Sequence, residues 1–172
     1  LSAEGDAGDL LRRDSARELL SAGRVSPQEI ACVTFSGQMM GCVPLDRQAR
    51  PLRSALIWAD KRAVAEANQL IERVGMETAY RITGHRASES YSAAKIMWVR
   101  AHQPEIYAAV YKFVQPKDFI TARLTGAFVT DYSDASGTNL YDLQACDWSP
   151  EMLAAAGIDR ALLPDLHPST GV

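Results

Sequence analysis

One short run constrains this chain more than any other. Ala31-Cys-Val-Thr-Phe35 is apolar, rich in β-formers and uncharged, and it stops at the loop Ser36-Gly37-Gln38-Met39-Met40-Gly41. A strand with no polar face is buried on both sides, as the central strands of α/β sheets are. The loop at the end of such a strand is where α/β folds hold ligands. Upstream, Asp9 is placed to cap a helix to about Leu20, with Leu11, Ser15 and Leu19 on one face and Gly23 as its stop. Ser26-Pro27-Gln28-Glu29 has the spacing of a capping box with proline at the first helical position. Downstream, residues 42–45 and 54–58 read as two more strands around the polar connection Asp46-Arg-Gln-Ala-Arg50-Pro51.

At Asp60 the period changes. Val64, Ala67, Ile71 and Val74 form a helical stripe that Gly75 ends. Residues 92–102 read as one helix, and Pro104 and Pro116 stand where proline opens others. Residues 112–115 and 139–143 are short strand candidates, and 126–137 is polar and turn-rich. Ser149-Pro150-Glu151 opens a last helix, and the tail after Pro164 reads as linker. The expected class is α/β, a short mixed sheet with a largely helical insertion. Residues 1–172 are expected to be part of one domain. It divides into a lead-in helix (1–30), strands (31–60), a mainly helical stretch (61–125), and a loop, strand and C-terminal helix or linker (126–172).

Charge and motif absences narrow the function. Eighteen Lys and Arg against 21 Asp and Glu give a net charge of −3. That is no electrostatic footprint for nucleic acid and no polybasic membrane anchor. No apolar run approaches the ~18 residues of a membrane span. The three cysteines, Cys32, Cys42 and Cys146, form no C-x-x-C pair, which argues for reduced thiols and a cytoplasmic protein. The chain opens on Leu1 with an acidic stretch unlike a signal peptide, so it is expected to begin inside a longer protein. There is no G-x-x-x-x-G-K-[ST] or G-x-G-x-x-G phosphate cradle. His85, His102 and His167 lack metal-ligand spacing. Asp131-Tyr-Ser-Asp134-Ala-Ser-Gly137 fails as a calcium loop, because Ala135 stands where an oxygen ligand is needed. A helix cap from Asp131, Ser133 or Asp134 is the better reading.

Several segments, in order, resemble the FGGY family of carbohydrate kinases, its xylulokinase branch above all. Ser36-Gly37-Gln38-Met39-Met40-Gly41 resembles SGQMHG, and the stretch from Asp46 through Trp58, Asp60 and Arg62 resembles D-x-x-x-R-x-L-R-x-x-I-x-W-x-D-x-R. Ile82-Thr83-Gly84, Tyr91-Ser92-Ala-Ala-Lys95-Ile-Met-Trp98 and Gln115-Pro116-Lys117-Asp118 continue the likeness, as do residues 124–138, Trp148-Ser149 and Leu162-Leu163-Pro164. The resemblance covers residues from about 31 to the end.

It implies part of a ribonuclease H-like domain of the actin and hexokinase type, the sugar-binding side of a two-domain kinase. The reaction implied is transfer of the γ-phosphate of ATP, with Mg2+, to a hydroxyl of a pentulose, D-xylulose first. Another ketose or polyol (ribulose, erythritol, gluconate, glycerol) and a non-catalytic sugar-binding module stand as alternatives. The family's D-x-G-T-x-x-x-K strand-turn, its Gly-rich segment with the catalytic Asp, and its ATP domain have no counterpart here, so the chain alone is expected to be inactive. No catalytic or metal-binding residue is expected among these 172. A sugar is the expected partner, with ATP in the complete protein, and a homodimer stays open.

Six residues are the candidates for sugar contact. Gln38, Met39 and Met40 form the turn after the apolar run, and a carboxamide both donates to and accepts from sugar hydroxyls. Met40 departs from the family, whose histidine there is polar. Methionine offers a polarizable surface with almost no polarity. Trp58 can stack on sugar C–H groups. Asp60 suits either a sugar hydroxyl or the cap of the following helix. Tyr91 matches an aromatic position that lines the sugar pocket in the family's glycerol kinases, where xylulokinases often carry phenylalanine. Trp98 reads as packing, Arg62 as an ion-pair partner, and Lys95 has no role that spacing assigns.

Overall fold

A computed structural model describes residues 13–23, 25–34 and 36–170. The chain falls into two units, 1–36 and 37–172. In the first, helix α1 spans Arg13–Gly23, and the expected cap Asp9 lies outside the described residues. A 3₁₀ turn follows at Pro27–Glu29, where the Ser26 amide donates to the Glu29 carboxylate at 2.9 Å, as the capping-box spacing predicts. The apolar run departs from expectation. Residues 31–34 form no strand and are exposed, Val33 by 67%. A strand apolar on both faces gains only when neighbours cover both faces and both edges.

The second unit is built around one buried helix. Strand β1 (Val43–Leu45) pairs antiparallel with β2 (Lys112–Val114), Val43 opposite Val114. The second expected strand, 54–58, shrinks to one isolated bridge, Leu56 with Cys42, and a further bridge pairs Leu45 with Pro51 in the connection. The cause is the tight connection. The Asp46 carboxylate accepts from the amides of Gln48 and Arg50 (2.8 and 2.9 Å) and from Arg50 Nε (2.8 Å), closing the turn on itself.

Helix α2 (Val64–Val74) ends at Gly75, whose φ of 79° starts α3 (Met76–Thr83). Next come α4 (Ser92–His102), α5 (Pro104–Ala109) and α6 (Pro116–Thr125), each opening where the sequence predicts. Strand β3 (Val129–Asp131) leads into α7 (Tyr132–Ser136), with Asp131 as the cap that accepts from the Ser133 and Asp134 amides. Strands β4 (Tyr141–Asp142) and β5 (Asp147–Trp148) form a hairpin. Helix α8 (Pro150–Ala156) is capped by the Ser149 hydroxyl. The tail is not linker: β6 (Asp165–His167) runs parallel to β3 in the register Val129 to Asp165. The sheet expected as one piece is thus three two-stranded ribbons.

Helix α4 buries residues 92–97 and Val99 on all sides. Leu56, Leu70, Ile82, Phe113, Leu140, Trp148 and Met152 belong to the same core. Each such side chain contributes roughly 1.5–3 kcal/mol by leaving water. Two arginines tie α8 to this core by its free carbonyls: Arg73 Nη1 donates to Ala155 O (3.0 Å) and Arg100 donates to Gly157 O.

Candidate functional site

Backbone pairing at the start of the second unit gathers four of the six candidates. Cys42 and Leu56 exchange both amide hydrogen bonds, at 2.9 and 3.0 Å. Met40 and Trp58 therefore stand two residues beyond that bridge, one on each arm. The Ser92 hydroxyl, buried, donates to the Gly41 carbonyl at 2.8 Å, which seats the start of α4 and hence Tyr91 beside the same end. Asp60 follows in the turn that the Asp60 amide closes on Ile57 O (3.0 Å). Its carboxylate also feels the charge of Lys95, one turn into α4.

Trp58 is 51% exposed, a large aromatic face in solvent rather than in the core. Tyr91 is half-buried, 5.4 Å from the His85 ring, and burial holds its phenol above the usual range. Asp60 is not the cap of α2; Ala63 occupies that position. Instead, the Asp60 carboxylate takes Arg62 Nε at 2.9 and 3.0 Å and the Arg62 amide at 3.1 Å. The Arg62 side-chain bond and charge hold the carboxyl below its ordinary range. Such a group accepts hydrogen bonds well and is a poor base. Arg62 is the ion-pair partner that the sequence suggests.

The turn itself divides. Met40 is half-buried at φ 63°, a left-handed conformation that is unusual for methionine. Met39 turns toward α7: a Cβ at Gly137 would lie 2.9 Å from Met39 Cε. Gln38 is exposed. Beneath the turn, a Cβ on Gly37 would meet the Lys117 backbone nitrogen at 3.2 Å, and one on Gly41 would meet Pro116 Cδ at 2.8 Å. The turn rests on the first residues of α6, and its glycines permit that approach.

Lys117 holds that support together. Its Nζ lies 2.8 Å from Asp118, 3.0 Å from Asp131 and 3.3 Å from Asp134. Burial opposes its charge, but the three carboxylates outweigh burial and hold the ammonium above the usual lysine range. Burial and the Asp118 charge push Asp134 up to about 6. Burial also raises Asp118, which remains above the usual carboxyl range despite Lys117. At Asp131 burial is outweighed by the Ser133 hydroxyl, the Asp134 amide and Lys117, and the carboxyl falls to about 2. The cluster is a structural junction of α6, β3 and α7, as the capping reading of this loop implies.

Trp98 is packing, as its spacing suggests. It stacks on His102 at 4.8 Å, and the Arg62 and Arg53 guanidiniums lie 4.8 and 5.6 Å from its ring centre. Sequence reasoning assigned no role to Lys95 and passed over Glu89 and Lys61. Lys95 is wholly buried, and its Nζ donates to the carbonyls of Glu89 (3.0 Å) and Ser90. The signal was present: Lys95 is the one charged residue in an otherwise uncharged stretch, 91–99.

A small α/β unit with a turn, an exposed indole and a hydrogen-bonding carboxylate at one end has the groups that suit a polyhydroxylated ligand. Residues 10–172 match the N-terminal domain of the FGGY family of carbohydrate kinases, and the chain belongs to that family. It is xylulose kinase-like. The xylulose kinase of Lactococcus lactis is 38% identical over 143 residues, 83% of this chain and 28% of that protein. A xylulose kinase structure from Brucella ovis superposes with a TM-score of 0.84 at 31% identity, covering 95% of this chain and 34% of that one. A gluconate kinase structure from Lactobacillus acidophilus gives 0.80 at 27% identity, covering 92% and 32%. The chain thus spans about a third of the length of the proteins it matches. These likenesses bear out the α/β, actin- and hexokinase-like class.

Proposed function

We propose that this chain is the sugar-binding lobe of a kinase that transfers the γ-phosphate of ATP to a pentulose hydroxyl, D-xylulose giving D-xylulose 5-phosphate. Residues 1–172 then form part of its N-terminal domain. The observation that carries the reading is the gathering of Met40, Trp58, Asp60 and Tyr91 at one end of a chain 38% identical to a xylulose kinase. Trp58 stacks on the sugar's C–H face, Asp60 and Tyr91 accept from or donate to its hydroxyls, and Gln38 adds a carboxamide. Met39 supports the turn while Met40 presents its thioether.

In this reaction the attacking hydroxyl oxygen bonds to the γ-phosphorus as the bond to ADP breaks, and the hydroxyl proton passes to a base. Asp60, held low by Arg62, is not that base. Nor do the residues here fit magnesium. Asp118, Asp131 and Asp134 are occupied by Lys117, and no other group of three or more metal-ligating residues stands among the described ones. Base, ATP and Mg2+ sites belong to other segments of the complete enzyme, so this chain alone binds sugar without turning it over. We place the enzyme in the cytoplasm, where its three unpaired thiols stay reduced.

A second reading is a kinase for another sugar or sugar acid. Met40 favours it, because an apolar thioether removes a polar contact from the turn, and the gluconate kinase likeness points the same way. A coupled ADP-release assay on the complete enzyme, across ketoses, polyols and aldonic acids, separates the two. Preference for D-xylulose establishes the first reading, and preference for gluconate the second. No turnover of any sugar by folded enzyme refutes both and leaves a binding module.

A further inference from the structure

Two lysines hold one dipeptide. Lys61 Nζ donates to Glu89 Oε1 at 2.8 Å and to Ser90 Oγ at 2.9 Å. Lys95 Nζ donates to the backbone carbonyls of the same two residues. Lys61 lies in the segment that carries Trp58 and Asp60. Lys95 lies in the helix that starts directly after Tyr91. Glu89 and Ser90 therefore join two of the three segments that bear the candidate sugar contacts, by their side chains to Lys61 and by their carbonyls to Lys95.

The arrangement is costly for simple packing. Lys95 is wholly buried, and its hydrogen-bond partners are carbonyls rather than a carboxylate. Burial pulls its pKa down to about 8. A leucine or methionine would fill the same space without desolvating an ammonium. What only the lysine supplies is donors to the turn before Tyr91.

We propose that Lys61 and Lys95 are positioning residues. By clamping Glu89 and Ser90 they fix the spacing between the Trp58–Asp60 turn and Tyr91, and so set sugar affinity rather than the rate of phosphoryl transfer. The inference rests on the sugar-kinase reading above. The two halves differ in their response to salt. Lys61 is 60% exposed, so its bond to Glu89 is screened, whereas the buried Lys95 is insensitive.

The test uses the complete enzyme with Lys61→Ala, Glu89→Ala and Lys61→Arg, and Lys95→Met where it folds. Lys61→Ala and Glu89→Ala should raise the sugar KM about 3- to 5-fold, the scale of a partly exposed ion pair. The kcat and the ATP KM should stay within about twofold, and Lys61→Arg should restore affinity. In 1 M NaCl the wild-type KM should rise toward that of Lys61→Ala, which itself should not move. Hydrogen exchange at the Tyr91 amide, which donates to Ser88 O at 3.2 Å, should quicken in the alanine variants without any sugar present. An unchanged sugar KM in both alanine variants overturns the clamp, as does an equal loss in kcat or faster exchange without loss of affinity. A wild-type enzyme that turns over no sugar overturns the functional reading, and the affinity role falls with it.

Discussion

Replacing Lys117 by methionine should destabilise this protein in a way that depends on pH. The methionine preserves most of the stem volume and deletes the ammonium. It leaves Asp118, Asp131 and Asp134 facing one another, with side chains only 1%, 19% and 7% exposed. Removing one member of a buried charge group costs about 3–5 kcal/mol, because the others stay buried without compensation. The pH dependence follows from Asp134. Its folded pKa, about 6, is above the unsubstituted value of 3.8, so between those values the native state holds a proton that the unfolded state has lost. Stability from this group is greatest at low pH and falls as pH rises through 6. The difference corresponds to about 3 kcal/mol. Without Lys117, the Asp118 and Asp134 pKa values move higher and the window widens upward. Urea unfolding followed by tryptophan fluorescence should therefore give a loss of about 3–5 kcal/mol at pH 8 and less than half that at pH 5. The double variant Lys117→Met/Asp134→Asn should recover stability at pH 8. An equal loss at both pH values, or a loss below about 1 kcal/mol at pH 8, refutes the account.

Three further perturbations probe the site's supports. Ser92→Ala deletes the buried bond to Gly41 O and should cost about 1–3 kcal/mol by thermal or urea unfolding. Gly41→Ala puts a methyl 2.8 Å from the rigid Pro116 ring, so a loss of about 1–3 kcal/mol and weaker sugar binding are expected together. Trp58→Ala should lower sugar affinity about tenfold in a calorimetric titration of the complete enzyme, a change of about 1.4 kcal/mol. Its effect on stability should be under about 1 kcal/mol, since half of the indole is already in solvent.

What was legible in the sequence was local chemistry. Pro104 and Pro116 open helices, Asp131 and Ser149 cap them, and Gly75 ends α2, because each choice is settled within a few residues. Long-range pairing was not legible. Residues 54–58 have the composition of a strand, yet beyond the Asp46 turn only Leu56 forms a bridge. The tail after Pro164 looks polar and loose, yet 165–167 finds β3 across more than thirty residues. The apolar run at 31–35 signals what it would bury against, but not where that surface is. In the site, motif order picks out residues that backbone pairing and the Ser92 bond bring to one end of the unit. Asp60 suits two roles by sequence, and Ala63 takes the cap of α2 while the Asp60 carboxylate pairs with Arg62. Lys95 has no role legible in spacing, since nothing there says that a lysine will donate to two carbonyls behind it.

The left-handed backbone at Met40 limits how this protein can be re-engineered. A substitution library at position 40 is not twenty-fold deep. Valine, isoleucine and threonine are disfavoured there by the backbone alone, whatever their fit to a ligand. Glycine, asparagine, aspartate and histidine keep the turn at least strain, and three of those four bring hydrogen-bonding groups. Selection at this position would thus start from a small alphabet that is already biased toward polarity, and the thioether now present lies outside it.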